Sequence, residues 1–88
     1  MLFQTGRIVA TRLALSHLEG HDMHPLQLVL RHASGDYGDL CSADIQENIL
    51  ALGRYRRILS AYYVGKEKIY VITEADRLTT TVLLASEY

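Results

Sequence analysis

Two periodicities divide the chain at Gly53. Before it, apolar residues recur at helical spacing; after it, they come in short runs rich in β-branched and aromatic side chains. Phe3–Val9 reads as a first strand, with Gly6 marking a bulge or kink. Thr11 is a helix cap, and Ala10, Leu13, Ala14, His17 and Leu18 fall on one helical face that ends at Gly20 in the left-handed conformation. A second helix starts at Pro25, whose missing N–H costs nothing in a first turn; Leu26, Val29, Leu30 and Ala33 form its stripe and Gly35 its end. Ser42 is the expected cap of a third helix, with Asp44 and Glu47 near its positive end, Ile45, Asn48, Ile49 and Leu52 facing the core, and Gly53 closing it.

Beyond Gly53, residues 57–64 and 69–74 flank Gly65-Lys66-Glu67-Lys68 and predict a hairpin. The expected register sets Tyr62 against Val71 and Ser60 against Thr73 on one face, with Tyr63 against Tyr70 and Ala61 against Ile72 on the other. After a turn at Ala75-Asp76-Arg77, Thr79–Ala85 returns as a further strand. The expectation is an α+β domain: an N-terminal strand, three short helices on one sheet face, then a three-stranded antiparallel β-meander.

With 88 residues, residues 1–88 make a single small globular domain, and 26 of them are Leu, Ile, Val or Phe, enough for one modest core. Cys41 is the only cysteine, so no intrachain disulfide forms. No apolar run approaches membrane-spanning length, and the first residues lack the pattern of a signal peptide, so a cytoplasmic protein with no membrane partner is expected. No motif calls for a cofactor.

Nine basic against ten acidic residues argue against a general nucleic-acid coat. The signs are nonetheless segregated. Ala33 to Leu52 holds Asp36, Asp39, Asp44 and Glu47 and no Lys or Arg, whereas Gly53 to Lys68 holds Arg54, Arg56, Arg57, Lys66 and Lys68 against Glu67. With Tyr37 in the acidic turn, these residues are the candidate partner-binding set. The basic strip is interleaved with Tyr55, Tyr62, Tyr63 and Tyr70, a composition that also suits single-stranded nucleic acid.

Three smaller constellations carry candidate chemistry. His17, His21 and His24 have a metal-ligand spacing, although Gly20 interrupts the helix between the first two and surface imidazoles at a helix end explain them as well. His32 lies close in sequence to Asp36 and Asp39, an arrangement of an imidazole with an orienting carboxylate; a helix end followed by an Asx turn explains the same residues. Asn48 stands on the core-facing stripe of its helix, where an unpaired amide costs about 1–3 kcal/mol, so it is expected to clamp a specific partner: the 35–39 turn, or the backbone of Ser60 or Thr73. Glu74, Asp76 and Arg77 crowd one turn, where an Arg–carboxylate pair is the expected tie.

His32-Ala-Ser-Gly-Asp-Tyr-Gly-Asp39, Glu47-Asn48 with Ala51-Leu52, Arg57-Ile-Leu-Ser-Ala-Tyr62 and Ile69 to Tyr88 together resemble a short protein family carried on plasmids, prophages and genomic islands. Its members are labelled plasmid-related or carry the name of a type I restriction subunit, and its pattern runs HxxGDWGD, ENxxAL, RxLSxY and IWVITEADRxxTTxLLPxEY. The resemblance covers His32 to Tyr88, about two-thirds of the chain; Tyr37 and Tyr70 stand where the pattern has Trp, and Ala85 where it has Pro. It implies an accessory gene of mobile elements, a setting of conflict with host defence.

Three functions follow as expectations. The first is a non-enzymatic inhibitor or adaptor that binds another protein, such as a restriction or CRISPR component. The second is a small RelE/barnase-like ribonuclease, for which His32, Arg57, Glu74 and Arg77, with Ser60, Tyr62 and Thr73, supply the acid/base and phosphate-binding groups. The third is a homodimeric nucleic-acid-binding regulatory module that uses the Arg54–Lys68 strip.

Overall fold

A computed structural model describes all 88 residues, Met1–Tyr88. The elements run β1 (Arg7–Ala10), α1 (Arg12–Glu19), α2 (Pro25–Ala33), α3 (Ser42–Ala51), β2 (Ile58–Val64), β3 (Glu67–Thr73) and β4 (Thr79–Leu84), followed by a 3-10 turn at Ala85–Glu87. The fold is α+β. The meander β2–β3–β4 is antiparallel, and β1 joins it parallel to β4, giving a four-stranded mixed sheet in the order β1-β4-β3-β2. No helix is long and apolar enough to cross a membrane.

Local chemistry accounts for the helix ends. The Thr11 hydroxyl accepts from the Ala14 N–H, and Pro25 opens α2 behind His24, whose Nδ1 accepts from the Leu26 N–H. Gly20 ends α1 in a right-handed conformation, and the left-handed residue is Asp22 instead (φ 53°). The third cap position is Cys41, not Ser42, and no side chain bonds there.

Strand β1 is shorter than its apolar run, because the 1–6 segment is used to cross under α2: the Leu2 N–H donates to the Ala33 carbonyl. The hairpin register is two residues away from the expected one, with Ser60 opposite Val71 and Tyr62 opposite Ile69. A two-residue turn at Gly65-Lys66, with φ positive at Gly65 alone, closes the strands one pair earlier than a four-residue loop. A shift of two preserves side-chain parity, so each residue keeps its expected face.

The helix-side face of the sheet presents Tyr62, Val64, Ile69, Val71 and Val82 to Ala14, Leu18, Leu28 and Val29. A smaller cluster of Tyr37, Ala51 and Ile58 lies under α3. Two helical stripes are rotated from expectation. Helix α2 turns Leu28, Val29, His32 and Ala33 inward and leaves Leu26 and Leu30 exposed; α3 buries Asn48 and Ala51 and exposes Ile49. Leu13 of α1 is exposed as well. Four apolar residues in the first six of α2 permit more than one stripe, and the inward position of His32 selects between them.

Candidate functional site

The polar residues of the quoted motifs converge beneath and beside the sheet. His32, on the inner face of α2, is fully buried between Ser60 of β2 and Thr73 of β3, with the edges of Phe3 and Tyr37 against its ring. Its Nδ1 lies 2.5 Å from the Ser60 Oγ and its Nε2 2.8 Å from the Thr73 Oγ1; Thr73 continues to Thr80 at 2.7 Å, and Thr80 donates to the Thr5 carbonyl at 2.7 Å.

Donor counting assigns every proton in this row. The Thr5 carbonyl can only accept, so Thr80 gives it its hydrogen and must accept from Thr73; Thr73 in turn must accept from His32. The imidazole therefore carries its proton on Nε2, and the bare Nδ1 accepts from Ser60. Burial lowers the His32 pKa to about 4, so the ring is neutral at pH 7. The row links α2 to three strands and the N-terminal segment in one satisfied chain. No carboxylate orients the imidazole: Asp36 faces outward, pairs with the Arg31 guanidinium at 2.7 Å and accepts from the Gly38 N–H. That Arg31 contact holds the Asp36 carboxyl below its ordinary range.

The exposed edge of β2 is covered by the next two motifs. Asn48 donates from Nδ2 to the Leu59 carbonyl at 2.6 Å and accepts from the Leu59 N–H at 3.0 Å, replacing the strand that this edge lacks. One step along, the Asp39 N–H donates to the Ala61 carbonyl and the Ala61 N–H to the Tyr37 carbonyl, a one-residue parallel bridge centred on Gly38. Gly38 is required there: its φ is 71°, and a Cβ would stand 2.0 Å from the Ala61 carbonyl oxygen. The Tyr62 hydroxyl donates to the Asp36 carbonyl, the Arg31 guanidinium lies 4.4 Å from the Tyr62 ring centroid, and burial pushes the Tyr62 phenol up to about 12.

Arg77 ties the β3–β4 turn to the end of α3. Its Nη1 and Nη2 reach the carbonyls of Ala51, Arg54, Arg56, Glu74 and Ala75 at 2.5–3.3 Å, so the tie is to carbonyl oxygens rather than to a carboxylate. The acids of the turn have other partners. Asp76 accepts from the Leu78 N–H, and Glu74 pairs with Arg57 at 3.2 Å. Nothing in the local sequence marks the open carbonyls at the end of a helix more than twenty residues away.

The ribonuclease set is not brought together. His32, Ser60, Tyr62 and Thr73 lie on the helix side of the sheet, whereas Arg57 and Glu74 have the opposite parity and pair on the far face, where Arg57 also donates to the Tyr88 hydroxyl. The three histidines of the candidate metal set are engaged separately: His17 Nε2 donates to the Val64 carbonyl, His21 Nδ1 to the His17 carbonyl, and His24 caps α2. No group of three His, Cys, Asp or Glu side chains is placed to hold a metal ion.

The partner-binding set is partly rearranged by folding. Tyr37 is 6% exposed, packed in the smaller core, and its hydroxyl has no partner. Glu47 of the acidic segment meets Arg56 of the basic segment at 3.6 Å, which reduces the segregation of charge seen along the chain. Asp39, Asp44, Arg54, Lys66 and Lys68 remain outside any ion pair, and the Lys68 ammonium stands 5.5 Å from the Tyr63 ring centroid.

A cleft that the sequence does not announce opens between residues 2–4 and the α3–β2 connection. It has a volume of about 360 Å³ and is lined by residues 2–4, 52–55 and 77, among them Phe3, Arg54, Tyr55 and Arg77. Comparison with protein-family models, curated proteins and solved structures returns no match to this chain.

Proposed function

We propose that this chain is a non-enzymatic protein that acts by binding another protein, as an accessory of mobile genetic elements directed at a cytoplasmic host-defence component. One observation carries the reading. His32 and Tyr62, the buried groups of the quoted motifs best suited to proton transfer, are engaged in structural bonds, while large apolar side chains are exposed on all three helices. Leu13, Leu26 and Leu30 are 58%, 45% and 58% exposed, and Ile49 and Leu50 are 48% and 47% exposed. Leu26 and Leu30, four residues apart on α2, stand together on one exposed helix face, an apolar pair that a partner can cover. The resemblance over His32–Tyr88 supplies the setting of mobile elements.

The test is capture from a host that encodes restriction and CRISPR systems, followed by reconstitution with the purified candidate. The reading requires a defined complex that Leu30→Asp disrupts, and protection of an incoming phage or plasmid. Failure to reconstitute any complex, together with no protection, removes it. Arrested growth on expression, with RNA cleavage by the purified protein, favours the ribonuclease instead. Salt-dependent binding of single-stranded nucleic acid favours the dimeric module.

A further inference from the structure

The cleft beside Arg54 has the features of a small-molecule site. We propose that it binds a small organic anion with a planar aromatic body: a carboxylate or phosphate head held at Arg54, and the body against Phe3, Leu52 and Tyr55. This goes beyond the protein-binding reading and does not depend on it.

Charge is the first ground. Arg77 lines the cleft; its guanidinium lies 6.0 Å from the Phe3 ring centroid and its hydrogen bonds go only to carbonyl oxygens, so its positive charge has no carboxylate counterpart. The adjacent Arg54 side chain has neither an ion pair nor a hydrogen bond within the protein, and no carboxylate lines the cleft. Two cations without an acid beside an apolar wall favour an anion, and a guanidinium matches both candidate heads bidentately.

Shape is the second. The volume lies within the range of ligand pockets; Leu2, Phe3 and Leu52 supply apolar lining, and Tyr55, which also lines the cleft, is 85% exposed. One wall is tied down close to the turn that carries Arg77. Gly6 (φ 62°) leaves no room for a Cβ, which would stand 2.3 Å from the Leu78 carbonyl, so the N-terminal segment lies directly on the β3–β4 turn.

Backbone strain at the wall is the third. Arg77 itself adopts φ 61°, a left-handed conformation that a residue with a side chain takes at a cost of about 1–3 kcal/mol. Glycine would fill that turn position without strain. The arginine is held there by its five carbonyl contacts, and the same geometry keeps a positive charge in the cleft.

Phenyl phosphate and benzoate are the probes, with inorganic phosphate and benzyl alcohol as the controls lacking body and charge; amide shifts of the isotope-labelled protein are the readout. Expected are saturable shifts at Phe3 and Gly53–Tyr55 with at least one probe, and binding about tenfold weaker for each control. Arg54→Gln should weaken the probe about tenfold. Gly53→Phe places a bulky side chain at a lining residue and should weaken the probe about tenfold; a Cβ at Gly53 meets nothing within 4 Å, so this variant is expected to keep the wild-type melting temperature. No saturable shift with either probe overturns the proposal. So does unchanged binding in a folded Gly53→Phe variant, and so does inorganic phosphate binding as tightly as the probes.

Discussion

The interior around His32 and the cleft around Arg54 both combine aromatic rings with hydrogen-bonding side chains, and the fold treats them in opposite ways. Around His32 every proton has one assignable place, from Ser60 through the imidazole and Thr73 to Thr80 and the Thr5 carbonyl. Around the cleft, the Arg54 side chain has no ion pair or hydrogen bond within the protein and Tyr55 is exposed. The contrast teaches that a dense polar motif is not by itself a chemical site. The residues that make the motifs distinctive are those whose hydrogen bonds join distant parts of the chain, while the unoccupied capacity lies in a loop of unremarkable sequence.

Substitution should separate the two regions most sharply at Arg77. Arg77→Ala is expected to cost about 3 kcal/mol in urea unfolding, because several charged hydrogen bonds disappear at once. Arg77→Gly relieves the left-handed strain and should cost less than Ala while still falling below wild type. Equal stability of Arg77→Ala and wild type breaks the comparison from the structural side.

Acid acts next, through His32. Between pH 6.5 and about 4 the unfolded ring takes up a proton that the folded ring declines, so stability decreases as pH falls through this window. The total loss is about 3 kcal/mol, and none of it arises above the unfolded pKa, where both states are neutral. Urea midpoints across pH 4–7 check this, with His32→Asn as the variant lacking the titration.

Asn48→Leu removes both bonds to Leu59 and leaves that strand edge bare; a loss of about 2 kcal/mol and a lower melting temperature are expected. A melting temperature unchanged or raised refutes the clamp. Tyr37→Phe goes the other way. It deletes a buried hydroxyl that has no partner, and thermal unfolding should show no loss or a gain of up to about 1 kcal/mol. Smallest of all, Arg54→Gln in the open cleft should change stability by less than about 0.5 kcal/mol.

What the sequence could reveal follows the range of the interaction. Helix starts at Thr11 and Pro25 and the hairpin around Gly65 depend on neighbours within a few residues, and they are legible. The parallel pairing of β1 with β4 joins residues some seventy positions apart and has no local signature. The same limit applies to function. His32 near Asp36 in sequence suggests an imidazole–carboxylate pair, but α2 ends at Ala33 and the chain turns at Gly35 (φ 91°), so the ring points inward and the carboxylate outward. Leu26, Leu28, Val29 and Leu30 are alike in hydropathy, so the buried face of α2 could not be chosen without knowing what lies beneath it. The cleft was illegible because its walls come from residues 2–4, 52–55 and 77, which only the tertiary fold brings together.

His32 is a sealed structural link, bonded on both ring nitrogens and fully buried. Nitrogen-15 spectra of the imidazole, followed from pH 7 to pH 4, test it most directly. The expected spectrum shows a single Nε2–H tautomer that persists through pH 6.5 and begins to protonate only near pH 4. A ring that titrates near 6.5, or that carries its proton on Nδ1, would contradict it.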